Sequence, residues 1–246
     1  MLGFACCATS RATSVLAGDQ AHPHWSYEGE TGPEHWGELA PQFDTCRIGA
    51  HQTPIDLTGA LSDETAGIDF DYRSVAMRIV NNGHTIQIDP EPGCAITVSG
   101  ETYSLVQFHF HHPSEHLVDG RAFEMELHLV HKSANGGLAV VGTFITAGQH
   151  NASLAPIFES MPHSEGIEVK SEGQFDPAAL LPATRSFYRY TGLFTTPPCS
   201  EGLTWTVFRE PIEASPAQIR AFAALFPNNA RPVQKNTNPL LLVTGR

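Results

Sequence analysis

Residues 105–112 read LVQFHFHH, so that His109 and His111 alternate with Phe108 and Phe110. Alternation with a period of two is typical of a β-strand, in which successive side chains point to opposite faces of a sheet. The two imidazoles are therefore predicted to project from one face and the two phenyl rings from the other. A strand of this kind can present two ligands to one metal ion.

A second alternating segment follows at residues 123–131, which read FEMELHLVH. Its period predicts another strand with two different faces. One face carries Glu124, Glu126, His128 and Val130, and the opposite face carries Met125, Leu127, Leu129 and His131. If the two strands pair, His128 comes within reach of the two histidines of the first strand.

The sequence around these segments repeats the strand pattern from residue 75 to residue 146, with turn residues at hairpin spacing. The predicted hairpins join 75–80 to 85–88, 95–98 to 102–111, and 123–131 to 138–146. Helical patterns are short and lie at 152–160, 178–181 and 217–225, the last preceded by a proline and a capping box at residues 215–218. These patterns predict a mainly β (α+β) fold: one domain on a large, mostly antiparallel central sheet with short peripheral helices.

Composition narrows the classes of function. The chain has 246 residues, of which 41% are hydrophobic and 16% charged, and this favours a globular domain over a disordered or highly charged one. Lys and Arg number 14 against 26 Asp and Glu, for a net charge of -12, so neither nucleic acid nor an anionic membrane surface is an expected partner. No run of 18 apolar residues exists, and no membrane span is predicted. The 13 histidines stand out and raise the question of a metal site.

The N-terminal residues 1–20 resemble an export leader only in part. They are small and apolar, and Val15-Leu16-Ala17 fits a small-residue cleavage pattern, but Arg11 interrupts the apolar region and no basic segment precedes it. The segment is therefore either a truncated or atypical leader or a disordered extension. If the chain is exported, Cys46 and Cys199 are candidates for one disulfide; otherwise the five cysteines are ordinary thiols.

The histidines suggest a particular kind of metal site. Three neutral nitrogens from His109, His111 and His128 would leave a fourth position open, which is typical of a catalytic rather than a structural zinc. Glu126 and Gln107 lie beside these histidines and can accept a hydrogen bond from the outer ring nitrogen of a ligand. The alternative for a lone pair of strand histidines is simple surface exposure.

These residues resemble the alpha-class carbonic anhydrases along nearly the whole chain, and the exported, bacterial-type members in particular. The motifs that carry the resemblance are His24-Trp25-Ser26-Tyr27-Glu28-Gly29, Gly32-Pro33-Glu34-His35-Trp36, Gln52-Thr53-Pro54-Ile55-Asp56, Asn81-Asn82-Gly83-His84, Gln107-Phe108-His109-Phe110-His111, Ser114-Glu115-His116, Glu126-Leu127-His128-Leu129-Val130-His131, Thr195-Thr196-Pro197-Pro198-Cys199 and Asn229-Ala230-Arg231-Pro232. Their number and order imply a catalytic domain over residues 21–246.

The resemblance implies an activity and a cofactor. His109, His111 and His128 would bind Zn²⁺, and zinc-bound hydroxide would attack carbon dioxide to give bicarbonate and a proton; in this family the metal lowers the pKa of its bound water to about 7. Thr195 would accept the hydrogen bond of the hydroxide and donate its own to Glu115, which orients the nucleophile. Esterase chemistry is an implied side activity.

Further positions receive roles from the same resemblance. His84 matches the family's proton-shuttle histidine, whose ordinary pKa near 6.5 suits proton transfer at neutral pH. Tyr27 and Gln87 match the polar cavity lining, and the Asn229 carbonyl matches an acceptor for the second zinc ligand. The substrate pocket would be formed by Val130, Val140, Phe194, Thr196, Leu203 and Trp205.

One pocket residue departs from the family pattern. Active members usually carry leucine immediately before the threonine pair, where this chain has Phe194. A phenyl ring at this position would crowd the pocket and disturb ordered water, so we expect slower turnover than in the fastest relatives.

The resemblance also bears on compartment and partners. It implies a Cys46–Cys199 disulfide and a periplasmic or secreted location. The expected partner is the small-molecule pair carbon dioxide and bicarbonate, and the chain is expected to be a monomer or a homodimer. The competing interpretation is a catalytically weak, carbonic-anhydrase-like binding module, although such relatives typically lack a zinc ligand and this chain keeps all three.

Overall fold

The computed structural model describes residues 23–235 and 239–245. The leader-like segment 1–20, with its cleavage pattern and two of the cysteines, lies outside the described residues, and its assignment stays a prediction.

The strands of the described chain join in a single sheet of thirteen strands. They are β1 (Leu61–Ser62), β2 (Asp69–Asp71), β3 (Met77–Asn81), β4 (Ile86–Pro90), β5 (Ala95–Val98), β6 (Glu101–His111), β7 (Met125–Ser133), β8 (Leu138–Ala147), β9 (Glu168–Lys170), β10 (Phe187–Leu193), β11 (Glu201–Phe208), β12 (Ile212–Ala214) and β13 (Leu242–Val243). The order across the sheet is β1-β13-β10-β11-β8-β7-β6-β4-β3-β9, with β12 on β8 and with β5 joining β2 to β6.

The three predicted hairpins are confirmed as antiparallel pairs β3–β4, β5–β6 and β7–β8. The turn of the first is built by its asparagines. The Asn82 side-chain oxygen accepts hydrogen bonds from the backbone N–H groups of His84 and Thr85, at 3.0 and 2.9 Å. Gly83 has φ +84°, a conformation that glycine adopts without the steric cost of a β-carbon. This turn fixes the backbone position of His84.

The predicted sheet is mostly antiparallel, and the structure confirms this while adding parallel pairs. Strand β8 pairs in parallel with β11 along its first part and with β12 along its last residues. The alternating patterns of the hairpin region did not anticipate these pairs, because parallel neighbours are joined by long connections rather than by a local turn.

The two faces of the sheet have different neighbours. Phe108 and Phe110 are fully buried in the larger apolar cluster, together with Leu127 and Leu129 from β7. His109 and His111 occupy the opposite face, on the side of a second apolar cluster that contains Trp205. The alternation read from the sequence is therefore confirmed for both strands.

The helices are short and peripheral. The described chain has α1 (Trp36–Leu39), α2 (Thr45–Ile48), α3 (Ala155–Phe158) and α4 (Pro216–Ala223), with 3-10 turns at Gly29–Thr31, Pro41–Phe43 and Pro177–Leu180. The capping box predicted at Ser215 is present, whereas the helix predicted over 152–160 is reduced to α3 and that over 178–181 is a 3-10 turn. Among these described helices, none has the length and apolar character needed to cross a membrane.

A disulfide joins Cys46 in α2 to Cys199, which follows β10 and lies 153 residues further along the chain. The backbone N–H of Cys199 donates to the carbonyl of Thr196 at 2.9 Å. The bridge therefore ties the segment that carries the threonine pair to the N-terminal part of the domain.

Candidate active site

Three imidazoles meet on the sheet where β6 pairs with β7. The register places His109 directly opposite His128, and His111 opposite Glu126. The ring centroids of the three histidines lie 4.6 to 5.4 Å apart, and one ring nitrogen from each falls within 4.8 Å of the others. The strand pairing that the sequence left conditional thus brings the predicted ligand set together.

The other ring nitrogen of each histidine is held by a hydrogen-bond acceptor. Nδ1 of His109 donates to the Gln107 side-chain oxygen at 2.8 Å. Nδ1 of His111 donates to the backbone carbonyl of Asn229 at 2.7 Å, and Nε2 of His128 donates to Glu126 at 2.9 Å. Because these acceptors fix the tautomers, Nε2 of His109, Nε2 of His111 and Nδ1 of His128 are free to bind a metal ion.

Two buried polar atoms at this point have no hydrogen-bond partner within the described chain: Nε2 of His111 and Oε2 of Glu115. They lie 3.5 Å from each other. Burial lowers the pKa of His109 well below its ordinary value and lowers that of His111 to about 4. Neutral imidazoles are the form that binds metal, and an unsatisfied buried nitrogen requires an explanation. The residues therefore fit a metal ion.

A buried carboxylate supports the third histidine. Oε1 of Glu126 accepts from His128 and from Nδ1 of His116, at 2.9 and 2.7 Å, and Oε2 accepts from the backbone N–H groups of Glu115 and His116. Burial opposes ionisation, but His116, His128 and their hydrogen bonds outweigh it and hold the pKa of Glu126 well below its ordinary value. Nε2 of His116 continues the chain to the hydroxyl of Tyr190 at 2.6 Å.

His116, Glu126 and His128 also lie close enough to form a second possible metal group. Their facing atoms are already hydrogen-bonded to one another through Glu126. The trio therefore acts as a support for His128, and the free Nδ1 of that ring, together with Nε2 of His109 and of His111, defines the candidate metal site.

Glu115 sits beneath the three histidines and is fully buried. Its Oε1 accepts from the backbone N–H of Arg231 at 2.8 Å, and the Thr195 side chain is close enough to lower the pKa of the carboxyl group. Burial raises the pKa of Glu115 to about 7, against the lowering effects of His128, Thr195 and Arg231. The sequence-predicted pair of Glu115 and Thr195 is thus in contact in the structure.

A cavity of about 240 Å³ opens beside the histidines. It is lined by Gln107, His109, His128, Val130, Val140, Phe194, Thr195, Thr196, Pro197, Pro198 and Trp205. Leu203, which was also predicted to line the pocket, is fully buried in the apolar cluster behind this wall and does not reach the cavity. One side of the cavity is therefore apolar and the other carries nitrogen and hydroxyl groups.

His84 lies outside this cavity lining. Its ring stacks on Trp25, and the ring of Tyr27 approaches both at an angle. Burial lowers the pKa of His84. Gln87, the other predicted polar lining residue, pairs with His109 across the sheet and accepts a hydrogen bond from Asn82 at 3.2 Å.

The comparisons with known proteins identify the family. The family model for the eukaryotic-type carbonic anhydrases matches residues 31–246. The chain belongs to the alpha carbonic anhydrases. A carbonic anhydrase from a Nostoc strain is 44% identical over 98% of this chain and 94% of that protein. One from Klebsiella pneumoniae is 42% identical over 86% and 87%.

Solved alpha carbonic anhydrase structures show the same fold. The enzyme from Thermovibrio ammonificans, in complex with the inhibitor sulfanilamide, superposes with a TM-score of 0.87 at 41% identity, covering 90% of this chain and 99% of that one. Dioscorin complexed with ascorbate superposes with a TM-score of 0.84 at 33% identity, covering 89% and 97%. Membership of the family supports carbon dioxide hydration as the general activity. Dioscorin shows that the same fold also occurs in a protein that is not named a carbonic anhydrase.

Several site residues of this alpha carbonic anhydrase received no role from the sequence. His116 is hydrogen-bonded to both Glu126 and Tyr190, and the ring of Trp25 stacks on the ring of His84. The buried Arg231 donates to the carbonyls of Thr53 and Cys46, both at 2.6 Å. His116, Trp25 and Arg231 lie within the motifs that carry the family resemblance, and that location was the one signal that could have indicated a role for them. No feature of the sequence indicates a role for Tyr190.

Proposed function

We propose that this protein catalyses the reversible hydration of carbon dioxide to bicarbonate and a proton with Zn²⁺ as cofactor. The observation that carries the proposal is the set of three free imidazole nitrogens, each with its opposite nitrogen held by an acceptor. His109, His111 and His128 would hold the ion and leave a position open for water. When bound there, zinc supplies Lewis-acid activation of water at neutral pH.

Thr195 and Glu115 would orient the attacking water. Glu115 accepts from the Arg231 backbone and lies beside Thr195, so the threonine hydroxyl would donate its proton to the carboxylate and keep its lone pairs for the water. A fixed acceptor at this position removes orientational freedom from the nucleophile before the reaction.

The apolar wall would hold the substrate. Carbon dioxide has no net dipole and no hydrogen-bond donor, so Val130, Val140 and Trp205 provide the contact surface that it requires. Phe194 lies on the same wall and narrows the cavity. Thr196 contributes a hydroxyl group at the opening.

His84 would carry the released proton from the site to solvent. It lies at the hairpin turn, half-buried against Trp25 and outside the inner cavity lining, and partial exposure of this kind supports a role in passing protons to solvent. Tyr27, whose ring lies beside His84, and Gln87, which pairs with His109, would offer polar groups along this route. An imidazole is suited to this task because it exchanges protons near neutral pH.

The proposed compartment is the periplasm or the exterior of the cell. The Cys46–Cys199 disulfide supports this, because structural disulfides persist in oxidising compartments.

Stopped-flow carbon dioxide hydration tests the proposal. The zinc-loaded protein is assayed before and after removal of metal by a chelator, with His109→Ala alongside. We expect activity that is lost with the metal, restored by added zinc and absent in the variant. A zinc-loaded wild-type protein without hydration activity would contradict the proposal. Hydrolysis of an activated aryl ester by the same preparations tests the side activity.

A second candidate function is a catalytically weak binding module. The similarity to dioscorin, solved with ascorbate, favours including it. Zinc-loaded protein that binds a small molecule at the cavity but does not hydrate carbon dioxide would support this alternative.

A further inference from the structure

A carboxylate outside the catalytic set lies next to the turn that carries His84. Glu165 is exposed on the segment that leads into β9, and its side chain reaches over Gly83. An ideal β-carbon built on Gly83 would lie 2.7 Å from Oε1 of Glu165. The carboxylate therefore occupies the space that any other side chain at residue 83 would fill, one residue from His84.

This juxtaposition is built by a buried asparagine. The side-chain oxygen of Asn81 accepts from the N–H of Gly83 at 3.0 Å, and its side-chain nitrogen donates to the carbonyl of Pro162 at 2.9 Å. Its backbone N–H donates to Ile167 and its carbonyl accepts from Gly166. Asn81 thus holds both the histidine turn and the backbone on either side of Glu165, so the main chain that carries the carboxylate is fixed relative to that turn.

Few charged groups face the imidazole of His84. Glu165 raises its pKa and the exposed His24 lowers it, while burial against the rings of Trp25 and Tyr27 is the largest influence and lowers it. The remaining polar neighbour, Asn229, donates to the backbone carbonyl of His84 and carries no charge. Glu165 is thus the one neighbour, among these described groups, that favours the protonated ring.

We propose that Glu165 is a positioning residue for proton release, a carboxylate that stabilises the protonated imidazole of His84. The inference rests on the proposed role of His84. His84 takes up one proton at a ring nitrogen and passes that same proton to water or buffer, and Glu165 is neither protonated nor consumed. Without it, burial would make the imidazolium costly to form and the relay a poorer proton acceptor.

A titration tests the coupling without reference to activity. The ring resonances of His84 are followed by NMR against pH in the zinc-loaded full chain, for wild type, Glu165→Gln, Glu165→Asp and Glu172→Gln. Glu172 is an exposed carboxylate that follows β9 and controls for the change in net charge. We expect the pKa of His84 to fall in Glu165→Gln, to recover in part in Glu165→Asp and to be unchanged in Glu172→Gln. An unchanged titration in Glu165→Gln overturns the proposal.

Kinetics test the consequence for turnover. In weak buffer, we expect Glu165→Gln to lower kcat for carbon dioxide hydration by roughly two- to fivefold, the range that an exposed ion pair supplies, with kcat/KM unchanged. The difference should shrink at about 1 M salt, where charges are screened within roughly 3 Å. A shifted titration with kcat equal to wild type would overturn the role in proton release. If the wild-type protein does not hydrate carbon dioxide at all, the proposed function fails, while the titration still decides whether Glu165 acts on His84.

Discussion

The rings of His84 and Trp25 lie face to face, with centroids 3.6 Å apart and planes inclined by 6°. The stack holds the imidazole half-buried against the indole, and a protonated imidazole over an indole face gains a cation–π attraction. The arrangement combines two features. The imidazole is a polar group that can exchange protons, and the indole is an apolar surface that limits the movement of that ring.

Replacement of His84 by alanine tests this arrangement as a proton relay. We expect kcat for carbon dioxide hydration to fall by about a hundredfold, the lower end of the range typical of a lost acid–base group, while kcat/KM stays near wild type. The conversion of carbon dioxide does not involve the ring, so only proton release should slow. Added imidazole buffer should restore kcat. Equal losses in kcat and kcat/KM would instead indicate damage to the metal site.

The support of His128 by Glu126 predicts a metal-affinity effect. Glu126→Gln keeps the shape of the side chain but removes the charge that holds the His128 and His116 rings. We expect zinc affinity to fall by about 10- to 100-fold, measured by competition with a chromophoric chelator. Glu124→Gln is the matched control, since Glu124 is exposed just before β7. Equal affinities in the two variants would show that the carboxylate does not tune the ligand.

The sequence was sufficient to predict that the three candidate ligands lie together, and insufficient to predict the groups that support them. His109, His111 and His128 lie on two strands joined within one hairpin region, where alternation alone sets which side chains share a face. The partner of His116 is Tyr190, 74 residues away on a strand that reaches the site only through the parallel pairing of β11 with β8. No local pattern encodes that register.

Short helices were the least predictable elements, for a related reason. The segment from 152 to 160 has apolar residues at helical spacing, yet only Ala155–Phe158 is α-helical. The side-chain oxygen of Asn151 accepts from the backbone N–H groups of Ser153 and Leu154, which holds a turn ahead of the helix. Such side-chain competition for backbone groups decides element ends more than periodicity does.

Phe194 predicts a gain of function on truncation. Its ring lines the 240 Å³ cavity beside Thr195, so Phe194→Leu would enlarge the space for substrate and water. We expect turnover to rise by about two- to fivefold, a small effect beside the roughly hundredfold that misplacement of a reacting group can cost. Phe226→Leu, on the opposite side of the sheet, is the control. Turnover that stays the same or falls in Phe194→Leu would show that the ring does not limit the reaction.

The Cys46–Cys199 disulfide predicts a stability difference between oxidised and reduced protein. The bridge closes a loop of 153 residues, for which the chain-entropy model gives about 5 kcal/mol of stabilisation. Urea unfolding of the oxidised and reduced forms measures it, and a Cys94→Ala background removes the buried free thiol from the comparison. Equal free energies of unfolding would mean that the bridge constrains neither state.

A buried histidine that is remote from the proposed chemistry predicts acid sensitivity. His131 is fully buried on the apolar face of β7, and its Nε2 is hydrogen-bonded to the hydroxyl of Tyr72 at 2.6 Å. Burial lowers its pKa from 6.5 to about 3, against the weaker raising influence of the backbone at Ala139 and Leu129. Between these two values the unfolded chain binds a proton that the folded chain does not, so stability falls as pH falls.

The expected loss for this one residue is about 2.5 kcal/mol between pH 7 and pH 4.5, since each pKa unit corresponds to about 1.4 kcal/mol. Urea unfolding against pH measures the slope for wild type and for His131→Asn, which cannot titrate in this range. The variant should be less stable at pH 7 but should lose less stability on acidification. His150→Asn controls for the loss of an exposed histidine and should keep the wild-type slope. The three proteins share the same ligand histidines, so the titration of those residues cancels in the comparison. Parallel curves for His131→Asn and wild type would show that His131 is protonated equally in the folded and unfolded chains.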